Sequence, residues 1–519
     1  MPVPVYHGER LRRALTAPLS LTGNAGRVHF AFVGDSNQFQ TPSDDATYRV
    51  GGFSGSGWGG HWEGFNEAMY ELFGCYGGPV GGMHSNGTSY TDRNHLLFSM
   101  SNADSTHYVK TINAGFPSAV KATEVGQTPL VTDRSPTLAS ASIDNNVNER
   151  FVFVPHGFFS GTKSKGSTTI GLSCDDPALA HMGNINTSGH RAVFRYHVSS
   201  GGRFSVRVCN GFSSAGLAEF STNTPTTGFV TGDFAVNPGG GTSYRPFCLA
   251  GASPSGQDTV GPVAIGGIQY VRNDVAADAG AGGIAVTPWF GQGGKTLTDF
   301  LDSIFACADP VAVIAEYIEA FCMRADHLVI MQNMLGNDVS VSTHASRKPD
   351  GTTGADTGGS GTHPDGWQQS LATFVDLIGR AFVATGRPKK NLTIVQAFYH
   401  LQSGTATKNA LYEEAARDLS DGVLRTGVIG TSFYDRLVVV NSAAIAGVDD
   451  MTATFTRQGA TMTGNDYYAG VDTAHLKCIA YRRLQQLQAK ALVAAAGVEG
   501  ADIPTGSRNI NRLSATGGR

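Results

Sequence analysis

"WFGQGGKTLTDF", Trp289 to Phe300, follows the apolar run "GIAV" and leads into an amphipathic pattern. Its glycine cluster, then Lys295 and Thr296, has the look of a phosphate grip. If it were one, the chain would be a nucleotide-binding α/β protein. A P-loop requires G-x-x-x-x-G-K-[ST]. Five positions before Gly294 stands Trp289, and an indole there blocks the backbone from wrapping a phosphate. A second decoy, the G-x-G-x-x-G of Gly55, Gly57 and Gly60, does not directly follow a strand. A chain with 67 glycines produces such matches by chance. The loop therefore serves some purpose other than nucleotide binding.

Working outward, five short apolar runs have the character of buried parallel strands. They are "VHFAFV" (28–33), "GIAVTPW" (283–289), "HLVIMQ" (327–332), "NLTIVQAF" (391–398) and "RLVVVNSA" (436–443). Helical patterns separate or follow them. Trp62, Phe65, Met69, Leu72 and Phe73 make one face, and Leu297, Phe300, Leu301, Ile304 and Phe305 another. Leu371, Phe374, Val375 and Ile378 make a third, and Leu476, Ala480, Leu484 and Leu487 a fourth. All fit the i, i+3, i+4, i+7 template. Strands alternating with helices predict a doubly wound parallel sheet.

From about Tyr76 to Arg272 the alternation breaks. The interval is rich in Gly, Ser, Thr and Asn and carries period-2 strands, such as "RFVFVPHGFF", "TGFVTGDFAV" and "PVAIGGIQYV". "AVFRYHVSSGGRFSVRVCNG" (192–211) is expected to be a hairpin turning at "SSGG". The expected organisation is an N-terminal segment (1–26), an α/β domain in two parts (27–75 and 273–498), an inserted β-sandwich (76–272) and a polar tail (499–519).

Bulk properties narrow the classes. The 519 residues suffice for two or three domains. Charged residues are 15%, and the net charge of −4 carries no nucleic-acid footprint. No run of about 18 apolar residues predicts a membrane helix. Arg10, Arg12, Arg13 and Pro18 interrupt any signal-peptide core, so an intracellular, unconventionally exported or virion-borne chain is expected. Seven scattered cysteines make no disulfide framework. His181 and His190 are too isolated to suggest a metal, and no cofactor is expected.

Four pieces of sequence sit at the ends of the predicted strands or before a helix. They are Gly34-Asp35-Ser36, Gly294-Lys295-Thr296, Gly336-Asn337-Asp338 and Asp472-x-x-His475. In this order they resemble the signature blocks of the SGNH hydrolases, the GDSL esterase/lipase superfamily. The resemblance covers roughly residues 27–75 and 283–495. It departs at Asn37, where the family usually has a hydrophobic residue, and in the long stretch between Ser36 and Asn337. The family implies a flavodoxin-like three-layer α/β/α fold with a five-stranded parallel sheet. It also implies a serine esterase: Ser36 as nucleophile, His475 as base and Asp472 orienting the histidine. An oxyanion hole would comprise the N–H groups of Ser36 and Gly294 and the side chain of Asn337.

Each residue also has a plainer reading. Asp35 and Asp338 are expected to be supports. Thr296 is expected to cap the next helix, with Asp299 completing a capping box. Trp58, His61 and Trp62 could line a substrate wall. Arg195, Arg203 and Arg207, sharing a polar face with His197, could touch an anionic glycan. With no acyl-binding lid visible, the expected substrate is a short acyl ester, O-acetyl foremost, on a polysaccharide. Nucleic-acid and membrane partners are not expected; self-association or assembly into a phage virion is left open. The alternatives are a non-catalytic virion attachment, decoration or glycan-binding protein on this fold, and a lipase or thioesterase.

Overall fold

In the computed structural model the described residues are 3–16, 28–35, 64–65, 68–69, 72, 284–291, 296–305, 309–321, 326–335, 337–338, 345–356, 365–398, 406–421 and 437–442, with 454–457, 460–463, 468–469, 472–476 and 478–498, together with short segments between 78 and 272. Five parallel strands form where the apolar runs lie. They are β1 (Val28–Gly34), β2 (Ile284–Gly291), β3 (His327–Gln332), β4 (Leu392–Phe398) and β5 (Leu437–Asn441). Their order across the sheet is β5-β4-β3-β1-β2, parallel at every pairing. This is the doubly wound order in which a crossover reverses between β1 and β3. Every residue of β1, β3 and β4 is buried, which explains why their sequences run apolar without alternation.

The N-terminal segment contributes more than its sequence suggests. Val5–Tyr6 adds a short antiparallel edge strand beside β5. Leu11 and Leu15 are fully buried, and the Arg10 guanidinium donates to the Leu437 carbonyl at 2.6 Å. At Gly8 a Cβ would lie 2.4 Å from that of Ala495, so only glycine lets the last helix approach this turn.

The longer helices among the described residues are α1 (Leu297–Phe305), α2 (Pro310–Phe321), α3 (Asp365–Ala384), α4 (Ala406–Asp421) and α5 (Cys478–Ala495). The expected faces of α1 and α3 are buried at Leu297, Phe300, Leu301, Ile304, Leu371, Phe374, Val375 and Ile378. Phe300 of α1 meets Phe374 of α3 edge-on at 5.4 Å. Phe30 and Phe32, two apart on one face of β1, both meet the Phe65 ring, at 4.9 and 5.2 Å. On α5 the expected face begins too early. Leu476 pairs with Tyr468 in an antiparallel ladder, which holds it extended, and the helix starts at Cys478.

The interval between β1 and β2 contains antiparallel strands, but the expected hairpin does not form. His190–Val198 pairs with Val230–Ala235 and Val263–Arg272. Phe204–Cys209 pairs with Gly216–Thr222 and Phe247–Leu249. The two strands thus lie in different sheets. The cause is their aromatic faces: Tyr196 stacks on Phe204 at 5.3 Å, and Phe194 meets Phe220 at 5.2 Å. Paired edge to edge, both rows of rings would need cover from elsewhere; facing each other, they bury one another. Gly201, at φ +79°, makes the short turn between the sheets possible.

Candidate functional site

The carboxyl ends of β1 and β3 lie side by side at the point where the winding reverses, the place where open α/β sheets bind ligands. The backbone N–H of Asn333, just after β3, donates to the Val33 carbonyl at 3.1 Å, so the two ends stay joined past the last ladder pair. The chain then turns, and the carbonyl of Met334 accepts from the Trp367 indole N–H at 3.1 Å and from the Gln332 amide at 3.2 Å. These bonds anchor the loop that carries Asn337 and Asp338. Trp367 and Asn333 have no distinguishing signal in the sequence; Trp367 reads there as one more apolar helix residue.

Asp35 directly follows β1 and is buried. Its carboxylate accepts from the Asn337 side-chain amide at 3.2 Å. Read from sequence as a support for local backbone, Asp35 also supports a side chain from the other end of the sheet's crossover. The bond aims the amide of Asn337 across the end of β1.

Next to it, Asp338 is 1% exposed, and one carboxylate oxygen accepts from the Leu297 backbone N–H at 3.0 Å. Among the described residues its other oxygen has no hydrogen-bond partner. Burial pushes its pKa well above the carboxylate range; the Leu297 bond opposes this, while Asp299 and Asp35 nearby reinforce it. A charged carboxylate at a helix N-terminus gains about 0.3–1 kcal/mol, but desolvating an ion costs several kcal/mol. Desolvation is the larger effect, so the pKa of Asp338 is raised.

Leu297 is the first residue of α1, and its N–H is one of the donors that a helix leaves unsatisfied. The expected capping box forms just before it. Asp299 N–H donates to Thr296 Oγ1 at 3.0 Å, and Thr296 N–H donates to Asp299 Oδ2 at 2.9 Å. The Thr296 hydroxyl reaches the same carboxylate at 2.9 Å. "KTLTD" thus starts a helix by its own local chemistry, and Asp338 fastens that start to the β3 loop.

Of the residues singled out from sequence, Asn337 is brought to the end of β1. Ser36, Gly294, Trp58, His61 and Trp62 lie outside the described residues. Asp472 and His475 belong to the strand Asp472–Leu476, paired with Tyr468–Ala469. Their backbone is extended, so the three-residue step runs along a strand and not around a turn; their side chains lie outside the described residues.

The arginine face needs correction. Arg195 is turned to the α/β domain, where its guanidinium grips Glu316 of α2 through two bonds, at 3.1 and 2.9 Å. The two side chains are only 11% exposed. Arg195 and His197 lie on one sheet and Arg203 and Arg207 on the strand run of the other, so they share no common face. His197 Nδ1 is 2.8 Å from the Thr226 hydroxyl. The error follows from the hairpin that does not form. Among the described residues no group of His, Cys, Asp or Glu is placed to hold a metal ion, and no helix is long and apolar enough to cross a membrane.

No family model matches the chain, and no curated protein does. Solved structures do. A peptidoglycan O-acetylesterase is 14% identical, aligned over 95% of this chain and 97% of that chain, with a TM-score of 0.44. A family two carbohydrate esterase from Cellvibrio japonicus is 10% identical over 66% of this chain and 96% of that one, with a TM-score of 0.21. An acetyl xylan esterase from the rumen bacterium Butyrivibrio proteoclasticus is 12% identical over 63% and 88%, with a TM-score of 0.19. All three are esterases. With TM-scores below one half, these likenesses carry no part of the mechanism, which must stand on the strand order and the site residues.

Proposed function

We propose that the chain is an SGNH-type serine esterase that removes short acyl groups, O-acetyl foremost, from a carbohydrate polymer. The observation that carries the reading is the bond between Asp35 and Asn337 where β1 meets β3. Ser36 is the next residue after Asp35, and consecutive Cα atoms are about 3.8 Å apart. The proposed nucleophile thus belongs to the block whose Asp35 holds Asn337, although 301 residues (337 − 36) separate Ser36 from Asn337 in the chain.

In this reading Ser36 Oγ attacks the ester carbonyl carbon and passes its proton to His475, whose imidazolium Asp472 stabilises. The carbonyl oxygen gathers negative charge between the N–H groups of Ser36 and Gly294 and the Asn337 amide. As the tetrahedral intermediate collapses, the sugar hydroxyl leaves with the proton from His475. Water, deprotonated by His475, then releases the acid from Ser36. The interval 76–272 is read as an inserted β-sandwich beside this machinery, and its Gly-, Ser/Thr- and Asn-rich composition supports a place on a virion acting on bacterial surface polysaccharide.

The test is hydrolysis of p-nitrophenyl acetate by the parent and by Ser36→Ala. Turnover in the parent that disappears in the variant is expected. Equal rates in both would favour a glycan-binding or attachment protein. Turnover that climbs with acyl length would favour a lipase or thioesterase. A screen of acetylated polysaccharides would then identify the polymer.

A further inference from the structure

We infer that Asp338 is a positioning residue of the proposed oxyanion hole, a clasp that fixes the start of α1, which Gly294 precedes in sequence, against the loop that presents Asn337. The inference rests on the esterase reading above and deepens it. Two of the three proposed oxyanion donors come from separate loops: Gly294 precedes α1, and Asn337 follows β3. A hole built from two loops needs something that sets their distance, since a misplacement of about 1 Å costs on the order of 100-fold in rate. Asp338 joins Asn337 to the start of α1. It is covalently next to Asn337, and its carboxyl accepts the first N–H of α1, 41 residues away in sequence.

The capping box makes the clasp effective. Thr296 and Asp299 already hold the first turn of α1 rigid through reciprocal bonds. Holding Leu297 therefore holds the turn from Thr296 to Asp299. On the other side, Asn337 is fastened to Asp35 at the end of β1. A continuous chain of bonds thus runs from β1 through Asn337 and Asp338 to α1.

Burial raises the pKa of Asp338, and the nearby carboxylates of Asp299 and Asp35 add to the effect. The clasp uses one carboxyl oxygen, the one that accepts from Leu297. Asparagine keeps one oxygen that can accept from Leu297. Alanine removes the acceptor.

The experiment compares the parent, Asp338→Asn and Asp338→Ala by kcat and KM on p-nitrophenyl acetate and by hydrogen exchange in residues 296–305. In Asp338→Asn, kcat is expected to stay within about 3-fold of the parent, with exchange unchanged. In Asp338→Ala, kcat is expected to fall on the order of 10- to 100-fold with KM little changed, while α1's first turn exchanges faster. If Asp338→Asn falls as far as Asp338→Ala, or if Asp338→Ala keeps both its kcat and its protection, the clasp is wrong. Should the parent hydrolyse no ester beyond the Ser36→Ala background, the esterase reading fails on its own. The clasp is then judged by exchange alone, and unchanged protection in Asp338→Ala overturns it.

Discussion

The amide of Asn337 donates to the carboxylate of Asp35 at 3.2 Å, joining residues 302 positions apart at the point where the sheet's winding reverses. This one bond ties two of the sequence blocks together and gives the site its floor. An amide so held does not need to be ordered when an oxyanion forms.

Removing that amide should be costly to catalysis. Loss of one oxyanion donor typically lowers kcat by about 10²- to 10³-fold, and Asn337→Ala is expected to show this with little change in KM. Asp35→Ala should give a smaller fall in the same parameter. Because both act through one bond, the double variant should lose little beyond Asn337→Ala. Steady-state kinetics on a p-nitrophenyl ester measure all three, and fully additive losses would show that the pair is not coupled.

Arg195 and Glu316 should act as a buried pair joining the β-rich interval to α2. Leaving either charge without its partner in a buried site costs about 3–5 kcal/mol. Arg195→Ala and Glu316→Ala should therefore each lower the free energy of urea unfolding by amounts in that range. Arg195→Met combined with Glu316→Leu should recover most of the loss. Single losses below about 1 kcal/mol, typical of exposed pairs, would contradict the burial seen here.

His29 lies in β1 within the core, and burial, helped by the Arg387 charge, pushes its pKa down to about 3. The native chain therefore refuses a proton that the unfolded chain accepts below about pH 6.5. Stability from this group is complete above that pH and is lost as pH falls toward 3. The loss amounts to at most about 1.4 kcal/mol per pH unit. Denaturant unfolding from pH 7 to pH 4 should show it, and His29→Leu should flatten that part of the curve. An unchanged slope in the variant would mean that other groups carry the acid sensitivity.

Gly232 tests the face-to-face arrangement of the two antiparallel sheets. A Cβ there would lie 2.7 Å from the Phe194 ring and 2.9 Å from that of Tyr196. Both rings are hemmed in by Phe204 and Phe220, so they cannot yield freely. Gly232→Ala is expected to cost about 1–3 kcal/mol, read from thermal or urea unfolding. The same change in a Phe194→Leu background should cost less; an equal cost would place the strain elsewhere.

The amino-acid sequence by itself determined the five sheet strands, the buried faces of α1 and α3 and the Thr296–Asp299 cap. Each depends on neighbours within a turn or a strand, so the period of apolar residues and the spacing of polar ones carry the information. It also supplied the order of the four blocks. Tertiary structure alone decided which strand lies beside which, and with that the meeting of Asp35 with Asn337, of Leu297 with Asp338 and of Arg195 with Glu316. The failed hairpin shows the limit most clearly: the same alternation of Phe194, Tyr196 and Phe204 fits strands paired edge to edge or facing across two sheets. Local pattern fixes which side of a strand is apolar, but what covers that side depends on where the rest of the chain has gone.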